Sequence, residues 1–181
     1  MTNRFMLIII AILILCIMLF GNRKVRVFSV LIKQLQVFKN AKTGKRSIWD
    51  VFCFIILPVV LAIIITCGIG SIINDKLAGT LTTVFAFVFT VLFGFATILI
   101  GKINSNNKLE KQVVGETFVS IMTSNILSLI VAILSIEIVV TKNHIVQLIL
   151  TICIYSFSFM IIMLLLMISK RTFIIYCNNK N

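Results

Sequence analysis

The chain has 181 residues, of which 60% are hydrophobic and only 12% charged, with a formal net charge of +12. A soluble domain carries about a quarter charged residues, so a water-soluble globule is excluded as the whole account of this chain, and the apolar excess must face something other than water. The expected fold class is all-α: a polytopic transmembrane helical bundle of about five spans.

The apolar residues come in blocks. Phe5–Phe20, Ile48–Gly70, Leu77–Ile100, Ile121–Val140 and Val146–Ile168 each qualify or nearly qualify as a span, because about 20 helical residues cross the hydrocarbon layer. The first block is short, about 24 Å at 1.5 Å per residue, and needs Arg4 and Arg23 to snorkel at its ends. It ends in Cys16-Ile17-Met18-Leu19-Phe20-Gly21 without a small-x-small cleavage pattern, so it reads as an anchor over residues 1–22 rather than a cleaved signal. The alternative is four spans preceded by an N-terminal interfacial helix.

Residues 23–47 are of another kind. Val25, Phe28, Leu31, Leu35 and Phe38 recur at helical spacing with Lys33, Gln34 and Lys39 between them. That pattern predicts a basic amphipathic helix lying in the membrane interface. Ala41-Lys42-Thr43-Gly44-Lys45 breaks it, and Ser47-x-x-Asp50 has the spacing of a helix N-cap. Trp49 stands where an interfacial aromatic belongs. Residues 48–168 form the four-helix transmembrane part, and Pro58 within its first span predicts a kink.

In the third block Gly79, Thr83, Ala86, Thr90, Gly94, Thr97 and Gly101 recur at intervals of three and four, which places them on one side of a helix, bordered by Phe89 and Phe93. Small residues let helices approach closely in lipid. One reading is tight packing within one bundle. The other is a pore wall shared by several copies, with Phe rings as a hydrophobic gate. Asn107-x-x-Glu110 is a second cap-like spacing. It predicts that the helix of the fourth block starts near Asn107 and forms a cytoplasmic stalk near 102–118, with Gly115 its weak point. The fourth block carries Thr117, Ser120, Ser124, Ser128 and Ser135, and the fifth Gln147, Thr151, Tyr155 and Ser158. Glu137 is the one acid deep in an apolar run. It is either an intramembrane functional carboxylate or a residue snorkelling toward Lys142.

Lys and Arg set the orientation. Fourteen of the seventeen lie in residues 23–46, 102–111 and the basic tail 169–181, and three (Arg4, Lys76 and Lys142) lie in the alternate segments. Basic residues stay on the cytoplasmic side. The expected topology in the cell inner membrane is therefore N-terminus outside and C-terminus inside, or both ends inside if the first block does not span. Asp50, Glu110 and Glu116 are the only acids on the basic side, so most of the positive charge lies there. It serves topology and anionic lipid, or it forms a patch for an anionic nucleotide or oligonucleotide, for which Lys102, Lys108, Lys111, Lys170 and Arg171 are the candidates.

No nucleophile with a base, carboxylate pair, phosphate loop or metal-ligand spacing is evident, so neither catalysis nor a cofactor is expected. Cys16, Cys53, Cys67 and Cys153 lie within apolar blocks and Cys177 in the tail, and thiols so placed behave as small hydrophobes.

The unit Thr82–Ser135 joins a Phe-rich span, a short Lys/Asn loop and the segment Glu116-Thr117-Phe118 running into a Ser/Ile/Leu span. It resembles the small multi-span membrane effectors of prokaryotic antiphage defence systems, the Hailong-type channel effector among them. The resemblance covers about a third of the chain. It implies a homo-oligomeric channel that permeabilises or depolarises the membrane when a nucleotide-derived signal binds. The alternative is a non-channel membrane partner, an immunity or sensor subunit that holds a cytoplasmic protein at the membrane.

Overall fold

The computed structural model describes Met6, Ile10, Leu13 and Ile14, and residues 27–38, 47–102 and 108–178, the side chains of 102, 108–110 and 175–178 excepted. Met6, Ile10, Leu13 and Ile14 are helical and exposed; the rest of the first apolar block lies outside the described residues. The described part is all-helical: α1 (Val27–Val37), α2 (Ile48–Gly68), α3 (Asp75–Lys102), α4 (Lys108–Val140) and α5 (His144–Asn178). Four of these, α2 to α5, are long and apolar enough to cross a membrane.

α2 starts as the sequence predicts. The Asp50 backbone N–H donates to the Ser47 hydroxyl at 3.3 Å, and Asp50 lies in the first turn, where a carboxylate complements the helix dipole. Further along, the helix widens. Phe52–Ile56 forms a π-helical stretch directly before Pro58. Proline has no N–H to offer its own turn, and the Leu57 N–H reaches back five residues to the Phe52 carbonyl. The lost backbone hydrogen bond is thus met by a local change of hydrogen-bond register. A second π stretch, Ile64–Gly68, ends the helix, and the chain turns at Gly70, whose φ of 73° suits glycine.

The connections at this end are short and capped. Asn74 Oδ1 accepts from the Leu77 N–H at 2.9 Å. After α4, Asn143 Oδ1 accepts from the Ile145 N–H at 3.0 Å, and the Gln147 amide donates to the Thr141 carbonyl at 2.7 Å. The buried Thr151 hydroxyl accepts from the Ile73 N–H at 3.4 Å and so ties the α2–α3 turn to α5.

α3, α4 and α5 pack antiparallel in sequence order. At one end Ala78 and Phe85 of α3 share a core with Val131 and Ile138 of α4 and Ile154 of α5. At the other, Leu92, Ala96 and Leu99 meet Val114, Ile121 and Ile168. α4 is the central element: half of its apolar stretch is buried, against 39% for α5 and less for α2 and α3. Its 33 residues run unbroken through Gly115 for about 50 Å. Phe87, Ile98, Ile136, Ile145 and Leu166, by contrast, lie exposed, an apolar outer surface that suits lipid.

Two predicted elements have neighbours within the bundle. The first turns of α4 are one. Val113, Val114 and Phe118 pack beside Leu99 of α3 and Ile168 of α5, so this stretch belongs to the bundle. Asn107, the predicted cap, lies outside the described residues. α1, the predicted interfacial helix, packs against α4 and buries Val27 and Gln34.

Candidate functional site

α3 has two unlike faces. Its large residues Phe85, Leu92 and Leu99, with Ala78 and Ala96, turn toward α4 and α5. All seven small residues of the predicted stripe (Gly79, Thr83, Ala86, Thr90, Gly94, Thr97 and Gly101) are exposed. A Cβ added at Gly79, Gly94 or Gly101 would meet nothing within 4 Å. Among the described residues, then, no neighbouring helix fills the room these glycines leave. Its hydroxyls are served locally. Thr83 donates to the Gly79 carbonyl at 3.1 Å, Thr90 to Ala86 at 3.0 Å and Thr97 to Gly94 at 2.6 Å. Each side chain is thereby held against its own helix with lone pairs free to accept, which leaves a shallow, smooth surface. Phe89 and Phe93, with ring centroids 6.1 Å apart, border it on one edge; the exposed Phe87, four residues from Thr83 and three from Thr90, borders the other, and Phe95 is half-buried against the core.

The α4 hydroxyls take the opposite placement. Thr117, Ser120, Ser124, Ser128 and Ser135 are all buried, as are Thr151 and Ser158 of α5. Thr117 and Ser120 donate to their own helix at Val113 and Glu116. Ser124, Ser128 and Ser135 have no hydrogen-bond partner. The two predicted sets, α3 and α4, are therefore not brought together into one wall. Asn125, also buried with both amide atoms unpartnered, was not singled out by spacing. An Asn inside an apolar run is itself the signal, and its adjacency to Ser124 masked it. Gln34 was read only as a polar residue of an amphipathic helix, yet it is 5% exposed and unpartnered at both amide atoms.

The basic end gathers fewer free cations than its sequence suggests. Arg171 Nη1 lies 3.1 Å from Glu116 Oε2, the one ion pair among the described residues. Gln112 Nε2 donates to the other oxygen of that carboxylate at 2.9 Å. Asp50 is the second acid whose charge acts on Arg171. Lys111 and Lys170 are exposed. The side chains of Lys102 and Lys108 lie outside the described residues. Glu137, half-buried, sits in the last turn of α4 and gives only its backbone carbonyl to Thr141.

Fold and site together define an all-helical bundle with four helices able to cross a membrane, a smooth small-residue face turned outward and a buried polar seam. Comparison with protein-family models, curated proteins and solved structures found no match.

Proposed function

We propose that the chain is a homo-oligomeric membrane effector whose copies meet through the outward face of α3 and form a channel that opens on a cytoplasmic anionic signal. The observation that carries this is the exposure of all seven stripe residues while the bulky side of α3 is consumed by its own bundle. In lipid, helices associate through close packing of small residues, and symmetric repetition of one such face closes a ring. The hydroxyl lone pairs of Thr83, Thr90 and Thr97 can face water, and the stacked Phe89 and Phe93 provide an apolar constriction. Lys111 and Lys170 are the exposed cations best suited to a nucleotide-like signal, since Arg171 is engaged by Glu116. A role in antiphage defence rests on the resemblance of Thr82–Ser135 to Hailong-type effectors.

Counting subunits in mild detergent and measuring conductance in liposomes tests the reading. The parent is expected to be oligomeric and to conduct. Gly94→Leu, which places a bulky side chain on the contact face, should lower both subunit number and conductance. Val84→Leu, exposed about 120° round the helix from the centre of the stripe, should change neither. A monomeric, silent parent would favour the membrane-partner alternative, and a Gly94→Leu variant equal to the parent would remove α3 as the contact face.

A further inference from the structure

α4 carries no charged residue from Thr117 to Ile136, 20 in all. That stretch is about 30 Å long at 1.5 Å per residue and matches the hydrocarbon thickness of a bilayer. Glu116, with Arg171 against it, therefore marks where the apolar layer begins at the basic end. α1 starts from that level and leaves it. The Ser47 N–H donates to the Phe38 carbonyl at 2.9 Å, which ties the C-terminal end of α1 to the start of α2. Seven residues earlier, Leu31 shares the walls of a cavity of about 260 Å³ with Thr123 and Leu127 of α4 and with Met160 and Leu164 of α5. Thr123 and Leu127 stand seven and eleven residues past Glu116, about 10 and 16 Å. Leu164 and Met160 stand the same counts from Arg171. Two helices thus give one depth, close to the middle of the layer.

The outer side of α1 does not suit hydrocarbon at that depth. Val27 and Gln34 are buried, whereas Lys33 and Gln36, neighbours on the helix surface at i and i+3, are exposed. Lys33 forms no ion pair among the described residues, whose one pair is Arg171–Glu116. A cation held in hydrocarbon is costly, and ionisable side chains at membrane depth face protein or a water-filled cavity. α4 supplies the protein on the buried side. The exposed polar side calls for water.

We propose that α1 is a re-entrant helix and that its exposed polar side lines a water-filled vestibule open to the cytoplasm, in which Lys33 draws small anions. This holds whether or not the assembly conducts. Water in the vestibule reaches toward the middle of the bilayer, and the exposed Phe28 and Ile32 mark its border with lipid.

Nitroxides at single positions of the full chain, freed of its native cysteines and placed in phosphatidylcholine vesicles, test this by their accessibility to dissolved relaxants. Ile162 is the control, exposed on α5 at the same depth, nine residues from Arg171. Neutral nickel–EDDA, which stays in water, should reach positions 33 and 36 several-fold better than position 162, where oxygen dissolved in lipid should dominate. Anionic chromium oxalate should act about twofold less on position 36 in Lys33→Gln, with nickel–EDDA unchanged. Depth is read separately. Bimane on Leu31→Cys should be quenched more by Thr123→Trp than by Gln112→Trp, which lies on the same face of α4 about 16 Å nearer the basic end. Stronger quenching from Gln112→Trp would put α1 at the membrane surface and overturn the proposal. So would nickel–EDDA accessibility at 33 and 36 no higher than at 162. With high oxygen that result means lipid and a snorkelling lysine; with low oxygen it means that a second copy or another segment covers α1. A chromium oxalate effect indifferent to Lys33→Gln would overturn the role of Lys33 in drawing anions.

Discussion

At the scale of single residues, burial decides what each polar group does. Arg171 and Glu116 have side chains only 19% and 32% exposed, at 3.1 Å. A pair so placed lies between exposed pairs worth little and buried pairs that are costly to break. Glu116→Gln leaves Asp50 as the one remaining acid among the described residues that acts on the guanidinium, and should cost on the order of 1 kcal/mol after allowance for solvent. A double-mutant cycle with Arg171→Gln, read by thermal denaturation in detergent, measures the coupling; additive effects would mean that the contact carries no energy. Asn125 presents the opposite case, since neither amide atom has a partner. Replacing an unpartnered buried polar group by an apolar one of like shape is neutral or stabilising. Asn125→Leu should therefore keep or raise the denaturation midpoint, and a clear fall would reveal a hydrogen bond that matters.

At the scale of elements, hydrogen-bond register controls which side of a helix faces its neighbours. The π stretch Phe52–Ile56 holds Phe54 against Phe38 and leaves Cys53 half-buried. Pro58→Ala restores an N–H and lets the stretch return to α geometry, where each residue advances about 100° at 3.6 residues per turn. Phe54 would then leave Phe38. With Cys53 as the only thiol, its maleimide labelling rate should change in the Pro58→Ala variant. An unchanged rate would mean that the proline does not maintain the π turn. α1 illustrates the same dependence on neighbours: its pattern predicts an amphipathic helix, and the face carrying Val27 and Gln34 packs on α4.

At the scale of the whole molecule, the antiparallel order of α3, α4 and α5 sets Lys76 and Lys142 at one end and Lys111 and Lys170 at the other. The bias of Lys and Arg predicts a cytoplasmic place for the second end. Single cysteines at these four positions, in a background freed of the five native ones, should react with an impermeant maleimide in intact cells at 76 and 142 only. Labelling at 111 and 170 instead would invert the topology, and labelling at all four would refute a fixed orientation.

Much of this architecture is legible in the order of residues alone. Apolar blocks of about 20 residues, Ser47 before Asp50 and the exclusion of charge from the spans are local properties, and they sufficed for four long helices and the cap of α2, although α5 runs past its apolar block and through the predicted tail to Asn178. The stripe on α3 was also legible, because helical periodicity needs only spacing. Which way it faces was not. In water an apolar face turns inward, so its direction can be inferred from pattern; in lipid both inward and outward faces are apolar, and the choice falls to shape. Phe85, Leu92 and Leu99 fit against α4, and the stripe is turned out by that packing. The burial of Gln34 and Asn125 and the Arg171–Glu116 contact depend likewise on which helices become neighbours. Such contacts between distant segments follow from complementary surfaces in three dimensions, and only the tertiary structure decided them.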